Sequence, residues 1–336
     1  MTDLISLIVP VYNGYNYIPS FISYYHAQTY KNTELIFIDD GSNDNSLSLM
    51  RKYAKEDNRI KVLHQKNRGP SSARNNGIDN SAGKYICFAD VDDYIFPDYI
   101  TYLHQLLTRT NADISFCNYQ KVARINNRII SKKTDNTVCE YDREKAINAF
   151  CYRKDLTGYS FLKLISRECL QDIRFPENIV YGEDFIFTYN ILSKINRAAY
   201  GNQIQYLYWQ NRESATHVRR DNTQKYIDAW KAHMAILLNI RTNYPSSLKG
   251  MIGKCYLLAI NNVTRIYDSK RDAAFIEDLI TFIRTNAKTV FTDSKASYYS
   301  RILGFLGLIS PKLTCNLCEF IFLLMEKGNL TFSKTM

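Results

Sequence analysis

Four short apolar runs in the first part of the chain alternate with segments of helical spacing, and this alternation constrains the fold more than any other feature. "LISLIVPVY" opens the series without polar alternation, as expected of a central parallel strand buried on both faces. "TELIFIDDGS", "IKVLHQ" and "KYICFAD" follow as the second, third and fourth strands. Between them, Ile18, Phe21, Ile22 and Tyr25 fall at helical spacing, "SLSLMRKYAKED" reads as a helix, and "SSARNNGIDNS" begins one capped by Ser71 or Ser72. A βαβαβαβ order predicts an α/β fold: a twisted, mostly parallel sheet with helices on both faces. Such sheets bind ligands beyond the carboxyl ends of their strands. Asn13, Asp39, Asp40, Asn67, Asp90 and Asp92 stand at those ends and therefore gather at one rim. Neither G-x-G-x-x-G nor G-x-x-x-x-G-K-[ST] occurs, so a dinucleotide fingerprint and a P-loop are both missing.

The remainder is less regular. Residues 97–154 are mixed, with strand-like runs such as "ADISFCNYQKV". In "FLKLISRECLQDIRFPENIVYGEDFIFTYNILSKI" the first part reads as a helix, Pro176 breaks it, and a second helix opens on Glu183 and Asp184. "IQYLYWQNRESATH" is a strand running into a polar loop. After Arg219 the pattern turns helical, with Ile227, Trp230, Met234 and Leu237 at helical spacing. From Arg219 to Met336 there are 17 Lys and Arg against nine Asp and Glu, so this third carries a surplus of eight out of the chain's net +10. That surplus suits an anionic membrane, a phosphate-bearing substrate or nucleic acid. Between Ile302 and Met325 the only charges are Lys312 and Glu319, but Pro311 and Asn316 interrupt the run. Two short amphipathic helices are expected there, packed on the core or lying in a membrane interface, rather than a spanning helix.

With 46% hydrophobic and 23% charged residues among 336, the chain can bury a core. Its eight cysteines are irregularly spaced, and "MTDLISLIVPVYN" has an acid and too short an apolar run for a secretory signal. The expectation is free thiols in a reducing cytosol. Cys315 and Cys318 form a lone CxxC without the second pair a zinc site needs.

The acids at the rim need a compensating charge. Asp90 and Asp92 lie on the same side of a strand end, with Asp93 starting the turn. A divalent cation, Mg²⁺ or Mn²⁺, would neutralise them and complete its shell with water and substrate phosphates. This points to a nucleotide-activated substrate whose leaving diphosphate the metal stabilises. From the residues alone, D-x-D-D is also a turn with an Asp capping a helix. Asp39 and Asp40 either accept from a nucleobase or ribose, or form an Asx turn with Gly41 and Ser42. Lys66 and Arg74 either counter phosphate charge or form an ordinary surface pair. Asp184 is a candidate general base, and Glu183 with Asp184 also complements a helix dipole.

Taken in order, "SLIVPVYNGYNYI", "HAQTYKNTELIFIDDGSNDNS", "QKNRGPSSARNNGI", "GKYICFADVDDYIFPDYI" and "KLISRECLQDIRFPENIVYGEDFIF" resemble glycosyltransferase family 2, with the GT-A fold, in the bacterial branch that builds surface polysaccharides. The likeness covers roughly residues 4 to 216. It implies a GT-A domain over residues 1–216, with a nucleotide-binding half to about residue 98 and an acceptor half beyond it. Residues 217–336 would be a helical extension for membrane docking or oligomerisation. In this likeness Pro10, Val11 and Tyr12, with Asn13 beside them, line the nucleotide pocket. Asp40 holds the base, usually uracil, and Arg74 lies near the diphosphate or supports its own loop. Asp92 is the direct metal ligand and Asp90 lies nearer the ribose and metal shell. Asp184 is the catalytic base, with Glu183 orienting it or the acceptor.

Family members invert the anomeric centre by in-line displacement, so an α-linked donor gives a β-glycoside. The chain departs from its relatives after the last strand, where Trp209 stands about where many carry an Arg; Arg212 and His217 are the alternatives for contacting the diphosphate. The Q-x-x-R-W motif of processive synthases is missing, so one sugar is moved per encounter. The implied partners are a nucleotide-sugar donor and a glycan or lipid-diphosphate-linked acceptor, without nucleic acid. The implied location is the cytoplasmic face of the inner membrane, with a homo-oligomer possible. Two other classes compete. A sugar-phosphate nucleotidyltransferase would show G-x-G-T-R near the N-terminus, where this chain has "VPVYNGYNY". A non-catalytic basic protein would bind membrane or nucleic acid, but no nucleic-acid motif accompanies the dispersed C-terminal cations.

Overall fold

The computed structural model describes residues 3–123, 136–152, 155–179, 181–210, 223–266 and 272–326, the side chains of 320–326 excepted. It divides into two compact units. One is Met1–Ala146 with Lys154–Arg220; the other is Ile147–Arg153 with Asp221–Met336.

The first unit begins with β1 (Ile5–Val11), α1 (Ile18–His26), β2 (Thr33–Asp39), α2 (Ser46–Glu56), β3 (Ile60–His64), α3 (Pro70–Asp79) and β4 (Tyr85–Phe88), the alternation the sequence predicts. It continues with β5 (Tyr94–Ile95), α4 (Tyr99–Arg109), β6 (Ile114–Val122), β7 (Val138–Asp142), α5 (Arg143–Tyr152), which crosses into the second unit, β8 (Lys163–Ser166), α6 (Glu183–Leu192) and β9 (Arg197–Trp209). The strands form one sheet in the order β3-β2-β1-β4-β8-β6-β9-β5, with β7 also on β9. β3, β2, β1 and β4 are parallel neighbours. β8 runs antiparallel between β4 and β6, β6 and β9 are parallel, and β5 and β7 close on β9 antiparallel. This mixed sheet with flanking helices is the GT-A architecture.

Residues of β2 are buried throughout because helices cover both faces. Ile5, Leu7, Val9 and Val11 share a core with Phe21 of α1 and Leu103 of α4. On the other face α3 approaches so closely that a Cβ at Gly77 would lie 2.4 Å from Ile8 Cγ2.

Two local expectations are corrected. The third helix starts at Pro70, not at a serine cap. Gly69 precedes it at φ +88°, a conformation glycine adopts without strain, and Ser71 and Ser72 are buried inside the first turn. "FLKLISRECLQD" is not a helix but β8 between two short 3₁₀ turns, Ser160–Leu162 and Arg167–Leu170. Its apolar run fits either period, and the vacant position between β4 and β6 decides for a strand.

The second unit contains α7 (Thr223–Asn243), α8 (Leu248–Ile266), α9 (Ala273–Thr292), α10 (Tyr298–Ile309) and α11 (Pro311–Glu326). The buried stripe of α7 is Tyr226, Trp230, His233, Leu237 and Ile240, whereas Ile227 and Met234 of the expected stripe are only half-buried. Among the described residues, no helix is long and apolar enough to cross a membrane. No disulfide joins any of the eight cysteines.

Candidate active site

The carboxyl ends of β1, β2 and β4 lie side by side, and the loops that leave them are laced together. Asp40 donates its backbone N–H to Val11 O at 2.8 Å. Asn13, at φ +52°, donates its backbone N–H to Ser42 Oγ at 3.0 Å, and its Oδ1 accepts from Asn43 N–H at 2.8 Å. Gly41 sits at φ +73°, and a Cβ there would come within 2.7 Å of Asn67 N, so glycine lets two loops meet. Pro10 is half-buried, Val11 buried, and Tyr12 and Asn13 exposed on this rim.

Asp40 is buried, with Oδ1 accepting from Gln65 Nε2 and Arg68 N–H and Oδ2 from Gly69 N–H, each at 2.9 Å. It therefore shapes the loop leading into α3. A carboxylate offers about four acceptor sites, so one remains open. Asp39 does not form the Asx turn considered for it; it pairs across the sheet with His64 Nδ1 at 2.7 Å. Lys66 is exposed on the β3–α3 loop.

Arg74 is the centre of the acidic cluster. Its Nη2 lies 3.2 Å from Asp90 Oδ1, and its Nη1 lies 3.4 Å from Asp184 Oδ1 and 3.7 Å from Glu183 Oε1. Its guanidinium also lies 5.4 Å from the centre of the Phe175 ring. With 7% of its side chain exposed, it is not the surface residue that the sequence left open. The segment carrying Phe175 is tied to α3 by Asn75, whose Nδ2 donates to Phe175 O at 2.9 Å and whose Oδ1 accepts from Phe175 N–H at 2.8 Å. Glu183 and Asp184 open α6, and Asp184 Oδ2 accepts the Ser160 N–H at 3.1 Å.

Asp93 serves a different purpose from its neighbours. Tyr206 OH donates to its Oδ2 at 2.8 Å and Trp209 N–H to its Oδ1 at 2.8 Å, while Asp90 N–H donates to Tyr206 OH at 3.1 Å. Besides its place in the turn, Asp93 thus anchors the end of β4 to β9. Trp209 Nε1 donates to Ala123 O at 3.0 Å, and its ring meets Tyr17 edge-on. Arg212 and His217 lie outside the described residues.

The charges in the cluster strain against burial. Burial, and then the charge of Asp90, push the Asp92 carboxyl up to about 6. Burial and the Asp184 charge push Glu183 up to about 7. Asp90 is also raised by burial, with Arg74 opposing. Burial opposes the charge of Arg74, but Asp184, Asp90 and Glu183 outweigh it and hold the guanidinium above its usual range. Lys163 of β8 is fully buried, in hydrogen-bond contact with the Oγ1 of Thr188, which lies one turn along α6 from Asp184. Neither it nor Ser160 was singled out from sequence. The one available signal was a lysine inside the apolar run "FLKLIS"; a backbone donor such as Ser160 N–H has none.

Among the described residues, no group of three or more His, Cys, Asp and Glu is placed to hold a metal ion. Asp90 and Asp92 supply two carboxylates, too few for an all-protein cage but the number with which Mg²⁺ or Mn²⁺ is held when substrate phosphates complete the shell. The donor set fits such an ion. A hollow of about 930 Å³ lined by His26, Tyr53, Asp57 and Arg59 lies at the opposite, N-terminal edge of the strands and contains none of these residues.

The sequence profile of glycosyl transferase family 2 matches residues 6–174, and the chain belongs to that family. It is 28% identical over 250 residues to glycosyltransferase GlyA of Streptococcus pneumoniae, a match spanning 72% of this chain and 36% of GlyA. The chain spans between 36% and 64% of the lengths of the first three curated relatives. In fold it is similar to S. aureus TarS crystallised with UDP-GlcNAc (TM-score 0.63, 19% identity, 98% of this chain and 93% of that one). It is also similar to the mannosyltransferase PcManGT of Pyrobaculum calidifontis crystallised with GDP-Man and Mn²⁺ (TM-score 0.57, 14% identity, 95% and 88%).

Proposed function

We propose that the chain is a metal-dependent, inverting, non-processive glycosyltransferase. It moves one sugar from a nucleotide sugar, a UDP-sugar, to a hydroxyl of a glycan or lipid-diphosphate-linked acceptor in capsule, O-antigen or exopolysaccharide assembly, at the cytoplasmic face of the inner membrane. The observation that carries this reading is the bridge made by Arg74 between Asp90 at the end of β4 and Asp184 at the start of α6. One buried cation holds a diphosphate-side carboxylate and a candidate base in fixed relation.

In this reading Pro10, Val11, Tyr12 and Asn13 line the nucleotide pocket, Asp40 offers its open acceptor site to the base, and Lys66 faces the phosphates. Asp90 and Asp92 would hold Mn²⁺ or Mg²⁺, which as a Lewis acid takes up charge on the leaving diphosphate. Asp184 accepts the proton of the acceptor hydroxyl as its oxygen attacks the anomeric carbon. The Ser160 N–H and Arg74 fix the orientation of its carboxylate while about a fifth of the side chain stays exposed to receive the acceptor. Direct attack inverts the centre, so an α-linked donor yields a β-glycoside and no covalent intermediate forms. Glu183, titrating near neutrality, orients the acceptor as donor or acceptor of a hydrogen bond.

The test is a panel of nucleotide sugars assayed for nucleoside diphosphate release with and without Mn²⁺ or Mg²⁺. Metal-dependent release from one or more donors is expected. Release of pyrophosphate from a nucleoside triphosphate and a sugar phosphate instead would replace this reading with nucleotidyl transfer.

A further inference from the structure

α10 is built inside out. Its inward face is Ser300, Leu303, Gly304 and Gly307. A Cβ at Gly304 would lie 2.6 Å from Phe291 N of α9, and one at Gly307 would lie 2.0 Å from Tyr256 OH of α8. Small residues therefore let this helix dock backbone-close onto its neighbours. Its large apolar side chains point the other way. Tyr298, Ile302, Phe305 and Ile309 recur at i, i+4, i+7 and i+11, a single stripe, and are 80%, 41%, 48% and 62% exposed. Leu313 and Leu317 of α11 are exposed as well. An outward stripe of this size on a helix whose core contacts are already made marks an interaction surface.

The charges around it decide what it meets. Lys288, Lys295, Arg301 and Lys312 are all exposed within the same stretch of chain. Arg301 lies against the patch, with Nε donating to Phe291 O at 3.2 Å, and the Phe291 ring lies 5.5 Å from that of Phe305. The one carboxylate between Lys288 and Leu317 is Asp293, and it is withdrawn: buried, with Oδ2 accepting from Tyr152 OH at 2.8 Å and Oδ1 from Lys295 N–H at 3.0 Å. Two copies meeting through this face would set cation against cation with no exposed acid to pair them. An anionic bilayer presents apolar depth for the stripe and negative headgroups for the cations, whose long side chains reach outward from an apolar bed.

We infer that the outward face of α10, continued by Leu313 and Leu317 and fringed by Lys288, Lys295, Arg301 and Lys312, is a peripheral docking surface for anionic lipid. The helices lie in the interface and do not span it. This gives a definite surface to the membrane location in the proposed function, and it rests on none of the catalytic assignments.

The test is co-sedimentation of the full chain with vesicles of phosphatidylcholine containing 30 mol% phosphatidylglycerol (roughly the anionic content that gives such cations their attraction), alongside vesicles of phosphatidylcholine alone. Light scattering reports oligomeric state, and nucleotide-sugar hydrolysis is measured separately. Binding to the anionic vesicles that weakens with added salt is expected. Ile302→Asp with Phe305→Asp should abolish it, and Arg301→Glu with Lys312→Glu should weaken it more than about tenfold. All four positions are exposed, so circular dichroism and hydrolysis should be unchanged in both variants. Three results would overturn the inference. The wild-type chain could leave both vesicles unbound. Binding could be indifferent to lipid charge and to the Arg301 and Lys312 changes. A dimer that the Ile302 and Phe305 changes dissolve would assign the face to a second copy. None of these bears on hydrolysis, so the transferase reading stands or falls separately.

Discussion

Arg74 Nη1 lies 3.4 Å from Asp184 Oδ1, a contact that joins α3 to the first turn of α6. The two residues are 110 positions apart in sequence. Because the same guanidinium also reaches Asp90, the end of β4 and the start of α6 share one counter-charge. Disturbing either residue should therefore have effects that differ in kind.

Replacing Asp184 by Asn keeps one oxygen, enough for the Ser160 N–H, and removes both the ability to take a proton and a charge partner of Arg74. Asp184→Asn is expected to lower kcat by about 10²- to 10⁴-fold, the range typical of a general base, while donor affinity by calorimetry is retained. Transfer at the wild-type rate would show that another group accepts the proton, Glu183 being the nearest by titration.

Arg74→Met leaves Asp90, Glu183 and Asp184 crowded without their cation. Removing one partner of a buried ion cluster typically costs about 3–5 kcal/mol. The loss should depend on pH. The folded Asp90 and Glu183 carboxyls, already raised and Glu183 to about 7, are raised further without Arg74, so they contribute most below the unfolded carboxylate range and lose that contribution as pH rises through the folded value. Urea unfolding should find a small deficit near pH 5 and the full one by pH 8. An equal deficit at both would mean the cost is lost packing against Phe175 rather than charge.

Asp92 and Asp93 are neighbours of one residue type, yet the geometry gives them opposite tasks. Asp92, raised to about 6, destabilises the fold progressively as pH climbs from about 4 through 6. Asp92→Asn should accordingly melt no lower than wild type at pH 7.5, and it should lose the thermal stabilisation that Mn²⁺ with UDP provides. Asp93→Ala removes the acceptor of Tyr206 OH and Trp209 N–H and strands two buried donors, at about 1–3 kcal/mol each at most. Its melting temperature should fall, and fall most at acid pH, because burial and then the charges of Asp90 and Asp92 hold the Asp93 carboxyl well above its usual range. If both variants melted alike, Asp93 would not be the anchor of the β4–β9 connection.

The β1 to β4 part of the sheet was legible because β1, β2 and β4 are mostly apolar runs followed by polar residues, and because a helix with Ile18, Phe21, Ile22 and Tyr25 on one face follows the first of them. The family motifs then singled out Asp90, Asp92 and Asp184 together. β8 was illegible for a physical reason: its two apolar residues, Leu164 and Ile165, with Phe161 and Leu162 before them, satisfy helical and extended periods alike, and only the gap between β4 and β6, assembled from distant chain, chooses. The side-chain partners of Asp93 and Asp39 were hidden on the same ground. Their partners, Tyr206, Trp209 and His64, come from other strands, and a local turn was the only partner the neighbouring sequence offered. The buried state of Arg74 likewise depends on Phe175 and α6, a hundred residues away.

Lys163 supplies the remaining prediction. Its side chain is fully buried, with Nζ in contact with Thr188 Oγ1 and 5.3 Å from the centre of the Phe116 ring. Burial pulls its pKa down from 10.5 to about 7, although the Asp184 charge opposes this. Between these values the unfolded chain holds a proton that the folded chain has released, so the contribution of this group to stability rises with pH, by up to about 1.4 kcal/mol per pH unit. Lys163→Met keeps a chain of similar length and deletes the titration. The variant should therefore be favoured relative to wild type near pH 7, and that advantage should shrink by about 3 kcal/mol on going to pH 9.5. Urea unfolding of the two proteins in parallel at pH 7, 8.5 and 9.5 measures the difference, in which the tyrosines and other lysines common to both cancel. A difference that stays flat across this range would mean that Lys163 keeps its proton in the folded state, and that its ammonium is a permanent counter-charge beneath Asp184.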